Sequence, residues 1–361
     1  DCAFQFDRVD LYTGYKVHGG LMARDLAKIQ LELKAAKRLL ALREAKNRML
    51  PYMKLTMPDP QDIDDAALSL YQETPLAQLL CQLIEKVVRD MKKTDGTKRV
   101  AVSVGPQHGK SQIISRGMPA WVSGKNPYTN IMLGSYNQDM ANQFGQEVKD
   151  IIESQAHKQV FPQHVLTTKQ VNHLVTAEGG QLNFVGAGGS GTGKPADLFV
   201  VDDPFKNDED AQSAAYRERV WKWFNAVAFS RLKERSAVIV VHTRWHEDDL
   251  IGRLCDPSHP ERNKRYAGIA DNWEYINLPA VVEDAKLARA LGLELAKPEK
   301  GSLIERQFGP EPKTALWPGE KGLGLLAEAK QQDARVFGAL YMGEPAPEDG
   351  EFCKKDWRIE D

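Results

Sequence analysis

Cysteine is scarce in this chain: four in 361 residues, Cys2, Cys81, Cys255 and Cys353, all far apart. Such spacing excludes a disulfide framework or a zinc finger and points to a reducing compartment. Long hydrophobic runs are missing too. No stretch approaches the roughly 20 apolar residues of a membrane span, and the first residues lack a signal-peptide pattern. Neither sign of charge dominates. Forty-eight basic residues stand against fifty acidic ones, for a formal net charge of −2. A permanent basic clamp on nucleic acid is thereby excluded, and a local or transient phosphate grip remains. The first residue is Asp rather than Met, so a fragment of a longer chain is expected.

What is present is an ordinary globular composition, 42% apolar and 27% charged. The length suits two packed units or one large α/β domain with an appendage. Leu21–Leu50 reads as a helix in which Leu26, Ile29, Leu33 and Leu40 recur near helical spacing. Its other face is basic, with Arg24, Lys28, Lys34, Lys37, Arg38, Arg43, Lys46 and Arg48. Two readings fit: an arm that binds DNA or a partner, or a helix docked on the core with a solvated basic face. Pro51, Pro58 and Pro60, with the acidic segment after them, mark a linker. Thr74 then caps a helix to Met91, with Pro75 at its first position.

Strands and helices alternate from there. Strands are expected at Lys98–Val104, Asn130–Tyr136, Gln181–Val185, Leu198–Asp202 and Ala237–Thr243. Helices are expected at Ser111–Ser123, Gln138–Gln155 and Asp208–Lys233. Apolar strands interleaved with helices imply an α/β fold with a mostly parallel sheet covered on both faces. Prolines punctuate the region beyond Glu261, which reads as a small lid subdomain. The expected organisation is an arm and linker at 1–65, a core at 66–260, a lid at 261–345, and at 346–361 the start of a linker to a further domain.

The most telling stretch runs from Val100 to Ser111, where a β-branched run meets a Gly-Pro turn and Gly109-Lys110-Ser111 opens a helix. Strand, loop and helix N-terminus in that order suit a triphosphate: backbone N–H groups wrap it, the lysine reaches its outer oxygens and the hydroxyl holds Mg²⁺. Val104 stands where the strict pattern has glycine. A second candidate, Gly188–Lys194, has the better glycine spacing, but Pro195 replaces the hydroxyl and a strand follows instead of a helix. It reads as a glycine loop between strands.

Downstream, Leu198–Val201 is an apolar strand that delivers Asp202 and Asp203 at the sheet edge. One carboxylate there can order a magnesium shell while its neighbour polarises water. A third strand delivers His242-Thr243-Arg244-Trp245-His246, close to where a terminal phosphate can be sensed. The two histidines lack the His-Glu-x-x-His form of a zinc pair.

Taken together, these elements resemble the large terminase subunit of tailed bacteriophages. The likeness rests on the phosphate loop, on Gly134-Ser135-Tyr136-Asn137 with Met140-Ala141, and on Gly191 to Asp197. It continues through Val201-Asp202-Asp203-Pro204, Thr243 to Leu250, Leu316-Trp317-Pro318 and the segment from Tyr341 to Trp357. The resemblance covers roughly Thr74 to the end. It implies an ASCE-type P-loop NTPase that hydrolyses ATP with Mg²⁺. Gly105, Pro106, Gln107, His108, Gly109, Lys110 and Ser111 would form the Walker A loop, with Lys110 on phosphate and Ser111 on the metal. Asp202 would be the Walker B carboxylate and Asp203 would take the place of the catalytic acid. Thr243, with Arg244, would be the coupling motif, and Gln78 would read adenine.

Two positions depart from the family: Gln107 where an arginine is common, and Lys194 where an arginine is offered to the neighbouring subunit. The resemblance makes Lys194, or one of Arg217, Arg219 and Arg231, the group acting in trans. It further implies double-stranded DNA, a portal protein and a small terminase subunit as partners. It also implies a five-fold ring, no membrane association, and work in the cytoplasm of an infected bacterium, transiently at the procapsid portal. The family's nuclease domain would begin where this chain stops, so no nuclease activity is expected. The competing readings are a superfamily 2-like helicase and a non-hydrolysing, nucleotide-dependent assembly module.

Overall fold

The computed structural model describes residues 19–63, 65, 68–91, 93, 98–189, 195–229, 231–255 and 273–346. Lys194, the Gly191–Gly193 run and the tail beyond residue 346 lie outside the described residues.

The apolar runs become strands because each is buried on both faces. In β6 (Ala196–Asp202), Leu198 and Val200 point into one apolar layer and Phe199 and Val201 into the other. In β7 (Leu232–His242), Ile239 and Val241 alternate in the same way with Val238 and Val240. A strand covered on both sides belongs inside a parallel sheet. Among the described residues the sheet has eight strands in the order β3-β4-β5-β2-β6-β7-β1-β8. Parallel pairing runs unbroken from β5 (Gln181–Gly186) through β2 (Ile131–Ser135), β6, β7 and β1 (Lys98–Val104) to β8 (Trp273–Leu278). A hairpin, β3 (Leu166–Gln170) and β4 (His173–Thr176), closes the far edge antiparallel. With β7 between them, β1 and β6 send their carboxyl ends to one edge.

The helices on one face include α3 (Pro75–Asp90), α4 (Met118–Lys125) and α5 (Gln138–Glu153). The Thr74 side chain accepts the Ala77 N–H and starts α3, with Pro75 at its first position as the sequence implies. Trp221, Trp223 and Phe224 of α8 (Ala214–Phe224) cover the other face with Leu250, Ile251 and Leu254 of α9 (Leu250–Cys255). Beyond β8, a two-stranded ribbon of β9 (Val281–Val282) and β10 (Thr314–Ala315) carries helices that end with α13 (Ala334–Met342). Among the described residues no helix is long and apolar enough to cross a membrane.

Four expectations are corrected. Pro51 does not start a linker but lies in the first turn of α2 (Met49–Thr56), where its missing N–H costs nothing. Tyr52 and Met53 of that helix are core. The apolar stripe of α1 (Gly19–Asn47) is not docked along its length: Leu26, Ile29, Leu33 and Leu40 are all more than half exposed, and docking begins near Ala45. The helix read over Asp208–Lys233 breaks into α7 (Asp208–Gln212), α8 and a π-helical turn at Asn225–Phe229 before β7 starts at Leu232. Lastly, a boundary at 260 severs the sheet, because β8 pairs with β1 over Arg99–Val104.

Candidate active site

Between Val104 and Lys110 the backbone twice enters the left-handed region, at Gln107 (φ 60°) and Gly109 (φ 79°). Alternation of that kind turns successive N–H groups inward as an anion-binding concavity. At Gly109 nothing lies within 4 Å of where a Cβ would be, so the cradle is open there. His108 is the buried wedge of the loop. Its Nδ1 lies 2.9 Å from Pro106 O, and its ring packs against Trp317 at 6.3 Å. Burial pushes its pKa down, so the ring is neutral near pH 7.

After the loop the helix opens as a π-helical turn, Gln112–Gly117, and continues as α4. Ser111 and Ser115 stand one turn apart on it. Ser115 Oγ donates to Asp202 Oδ2 at 2.5 Å, and the Ser111 side chain also pulls on the Asp202 carboxyl. Asp202 is 1% exposed, and its Oδ1 is buried with no hydrogen bond. Burial first, and the neighbouring Asp203 charge second, push its pKa up to about 6.

Asp203 leaves β6 with φ 42°. Its Oδ2 lies 2.8 Å from Lys110 Nζ, and its Oδ1 accepts the Thr243 N–H at 3.0 Å. Thr243 Oγ1 accepts from Lys110 Nζ at 3.3 Å and donates to Val104 O at 3.3 Å. The tips of β1, β6 and β7 are thus tied through four residues. Burial opposes the charge on Lys110, but Asp203 and Asp202 outweigh it and hold its pKa above the usual lysine value.

Arg244 points elsewhere. Its Nε donates to the fully buried Asp249 at 2.7 Å, and Nη1 reaches Tyr275 Oη at 3.4 Å. His242 Nε2 accepts the Ile251 N–H at 3.2 Å, which fixes the turn from β7 into α9. Gln78 is exposed on α3, donates to Glu73 at 2.8 Å, and is not among the side chains gathered at the loop. Arg217 is held inside the chain by Asp248 at 2.9 Å and by Ala211 O at 2.6 Å. Arg219 lies over the Tyr216 ring, 4.2 Å from its centroid. It borders a cavity of about 630 Å³ with Arg231, Lys222 and Trp223.

The donor set fits a hard, oxygen-seeking cation beside a polyphosphate: a serine hydroxyl and an orphaned carboxylate oxygen at the mouth of an N–H cradle. Three groups were missed by sequence reasoning. Ser115 is a lone hydroxyl four residues after Ser111, and that i, i+4 spacing was its signal. Asn277, which accepts from Ser103 at 2.7 Å, and Lys321, which donates to Gln107 at 2.8 Å, come from distant segments and carried no local signal.

Among known families, the N-terminal region of the large terminase subunit, T4-like virus type, matches over residues 102–309. Among the curated proteins nothing matches. One similar solved structure is the HK97 bacteriophage large terminase, at 12% identity and TM-score 0.46, covering 83% of this chain and 55% of that one. Others are the large terminase ATPase domain of Thermus phage P74-26 in a point-mutant form (12%, TM-score 0.43, 77% and 95% covered) and unmutated (12%, 0.41, 72% and 93%). The chain spans about half the length of the HK97 protein. It belongs to the large terminase family.

Proposed function

We propose that the chain is the ATP-hydrolysing motor region of a viral large terminase and moves double-stranded DNA into a procapsid. One observation supports this reading above others: the Lys110 ammonium and the two carboxylates meet at one opening, from strands on either side of β7. The Gly105–Ser111 backbone would hold the phosphates, and Lys110 would reach their terminal oxygens. Ser111 and Asp202 would hold Mg²⁺, which when bound offsets phosphate charge. Asp203 would orient the attacking water. Thr243, bonded to both Lys110 and Asp203, would pass the state of the site to β7, with Arg244 anchoring the segment that follows. Gln78 is proposed to read adenine.

Lys194 is proposed to act on the neighbouring subunit's nucleotide. Lys194→Ala should abolish DNA-stimulated turnover and spare nucleotide binding; unchanged turnover removes Lys194 from the mechanism. The proposed partners are DNA, the portal protein, the small terminase subunit and four further copies in a ring, in the infected bacterial cytoplasm. The test is Mg²⁺-dependent ATP turnover by the purified chain, lost in Lys110→Ala. Turnover that survives this substitution refutes the site. Strand displacement would favour a helicase, and nucleotide binding without turnover an assembly module.

A further inference from the structure

The turn after β10 reaches back onto the phosphate loop. The Leu316 N–H donates to Ala280 O at 2.8 Å, and the Lys321 N–H closes the turn on Trp317 O at 2.9 Å. Residue 321 is therefore positioned by the β9–β10 ribbon. From there the Lys321 ammonium donates to Gln107 Oε1 at 2.8 Å. The adjacent Glu320 accepts from Gln72 at 3.3 Å, which ties the turn to the segment ahead of α3.

Charge at the opening is unbalanced. Two carboxylates, Asp202 and Asp203, face one buried lysine, and its ammonium is bonded to Asp203. A polyphosphate arriving there adds several negative charges, more than Lys110 and a bound Mg²⁺ together offset, and this favours a further cation. Lys321 is bonded within the loop, yet its partner is a neutral amide oxygen. A phosphate oxygen carries full negative charge, so it attracts the ammonium more strongly than a neutral amide oxygen does. A lysine stem has the freedom to move from one acceptor to the other without backbone change.

We propose that Lys321 exchanges Gln107 for the outer phosphates of a bound nucleotide, as a phosphate-contacting residue delivered by the C-terminal subdomain. The inference rests on the nucleotide reading above. In this arrangement the subdomain registers whether the loop is filled, because its turn gains an anionic partner only then.

The test is the affinity of the full chain for ATPγS in Mg²⁺ buffer, measured by titration calorimetry. Lys321→Ala should weaken binding about tenfold, and Lys321→Arg should retain it. Lys321→Gln separates charge from bracing, since glutamine can still bond Gln107 but carries no charge. Affinity that stays low in Lys321→Gln supports the phosphate contact. Unchanged affinity in Lys321→Ala, or recovery in Lys321→Gln, overturns it while Lys110-dependent binding persists. Absence of any binding by the unsubstituted chain, or binding indifferent to Lys110→Ala, overturns the nucleotide site itself and this inference with it.

Discussion

The Lys110 ammonium and the Asp203 carboxylate stand 2.8 Å apart although they arrive on strands separated by β7. The ion pair answers the lysine charge before any phosphate is present, and it occupies the acid that the proposed chemistry needs. Incoming phosphate must compete for Lys110, and winning that competition frees Asp203. Asp203→Asn keeps the acceptor for the Thr243 N–H and tolerates φ 42° better than most residues. It should bind nucleotide at least as tightly as the parent and slow hydrolysis about 10²- to 10⁴-fold. Single-turnover kinetics beside equilibrium binding check this, and an unchanged chemical rate would remove Asp203 from the reaction.

Asp249 anchors the segment after β7. It is fully buried, receives Arg244 Nε at 2.7 Å and accepts the Gly252 N–H at 2.9 Å. Removing one partner of a buried pair leaves an uncompensated charge. Asp249→Ala should lower stability by about 3–5 kcal/mol, read from urea unfolding. A loss below about 1 kcal/mol would mean Arg244 finds another partner.

Two glycines separate space from flexibility. A Cβ on Gly145 would fall 1.6 Å from Val171 O, a backbone atom of the β3–β4 hairpin. Gly145→Ala should therefore cost about 1–3 kcal/mol or more. Gly324, in the helix Leu323–Gln332, has nothing within 4 Å of its Cβ position. Gly324→Ala should stabilise by about 0.5–1 kcal/mol. Thermal unfolding of the two variants should move in opposite directions.

Acid should weaken the fold through a buried relay. Tyr52 Oη lies 2.7 Å from His157 Nδ1, His157 Nε2 lies 2.8 Å from His164 Nδ1, and His164 Nε2 lies 2.9 Å from Ser123 Oγ. Burial, then the His164 and Lys158 charges, push the His157 pKa down to about 3. His164 is also lowered, by burial against the opposing pull of Glu178. A depressed histidine keeps its full contribution above its unfolded pKa of about 6.5 and loses it as pH falls toward 3. Urea midpoints should therefore drop steadily between those values. His157→Phe should be less stable at pH 7, and its midpoint should fall less steeply in acid. A slope equal to the parent's would place the acid sensitivity elsewhere.

The phosphate loop, the Asp202–Asp203 pair and five of the eight described sheet strands were legible because each is local: an apolar run ending in a turn or a polar pair. The β3–β4 hairpin was not, since the exposed side chains of Thr167, Lys169 and Gln170 break the alternation that marks a half-buried strand. Neither was the start of β7, where the charged run Lys233-Glu234-Arg235 lacks the apolar character that marks a buried strand. At the site, Lys110 and Thr243 could be picked out singly. Their shared bond to Asp203 is a property of strand order, which periodicity does not report. Lys321 meets Gln107 across more than two hundred residues, a contact that only tertiary packing creates.

The placement of β8 beside β1 has a practical edge. Gly343, which ends α13, sits so close to Ser103 and Asn277 that a Cβ there would fall 2.6 Å from one and 2.2 Å from the other. A polypeptide cut at residue 260 would forfeit that seal and leave the strand bearing the phosphate loop with a bare flank. Exposed flanks of this kind recruit stray chains, so such a fragment should precipitate before it could ever be assayed.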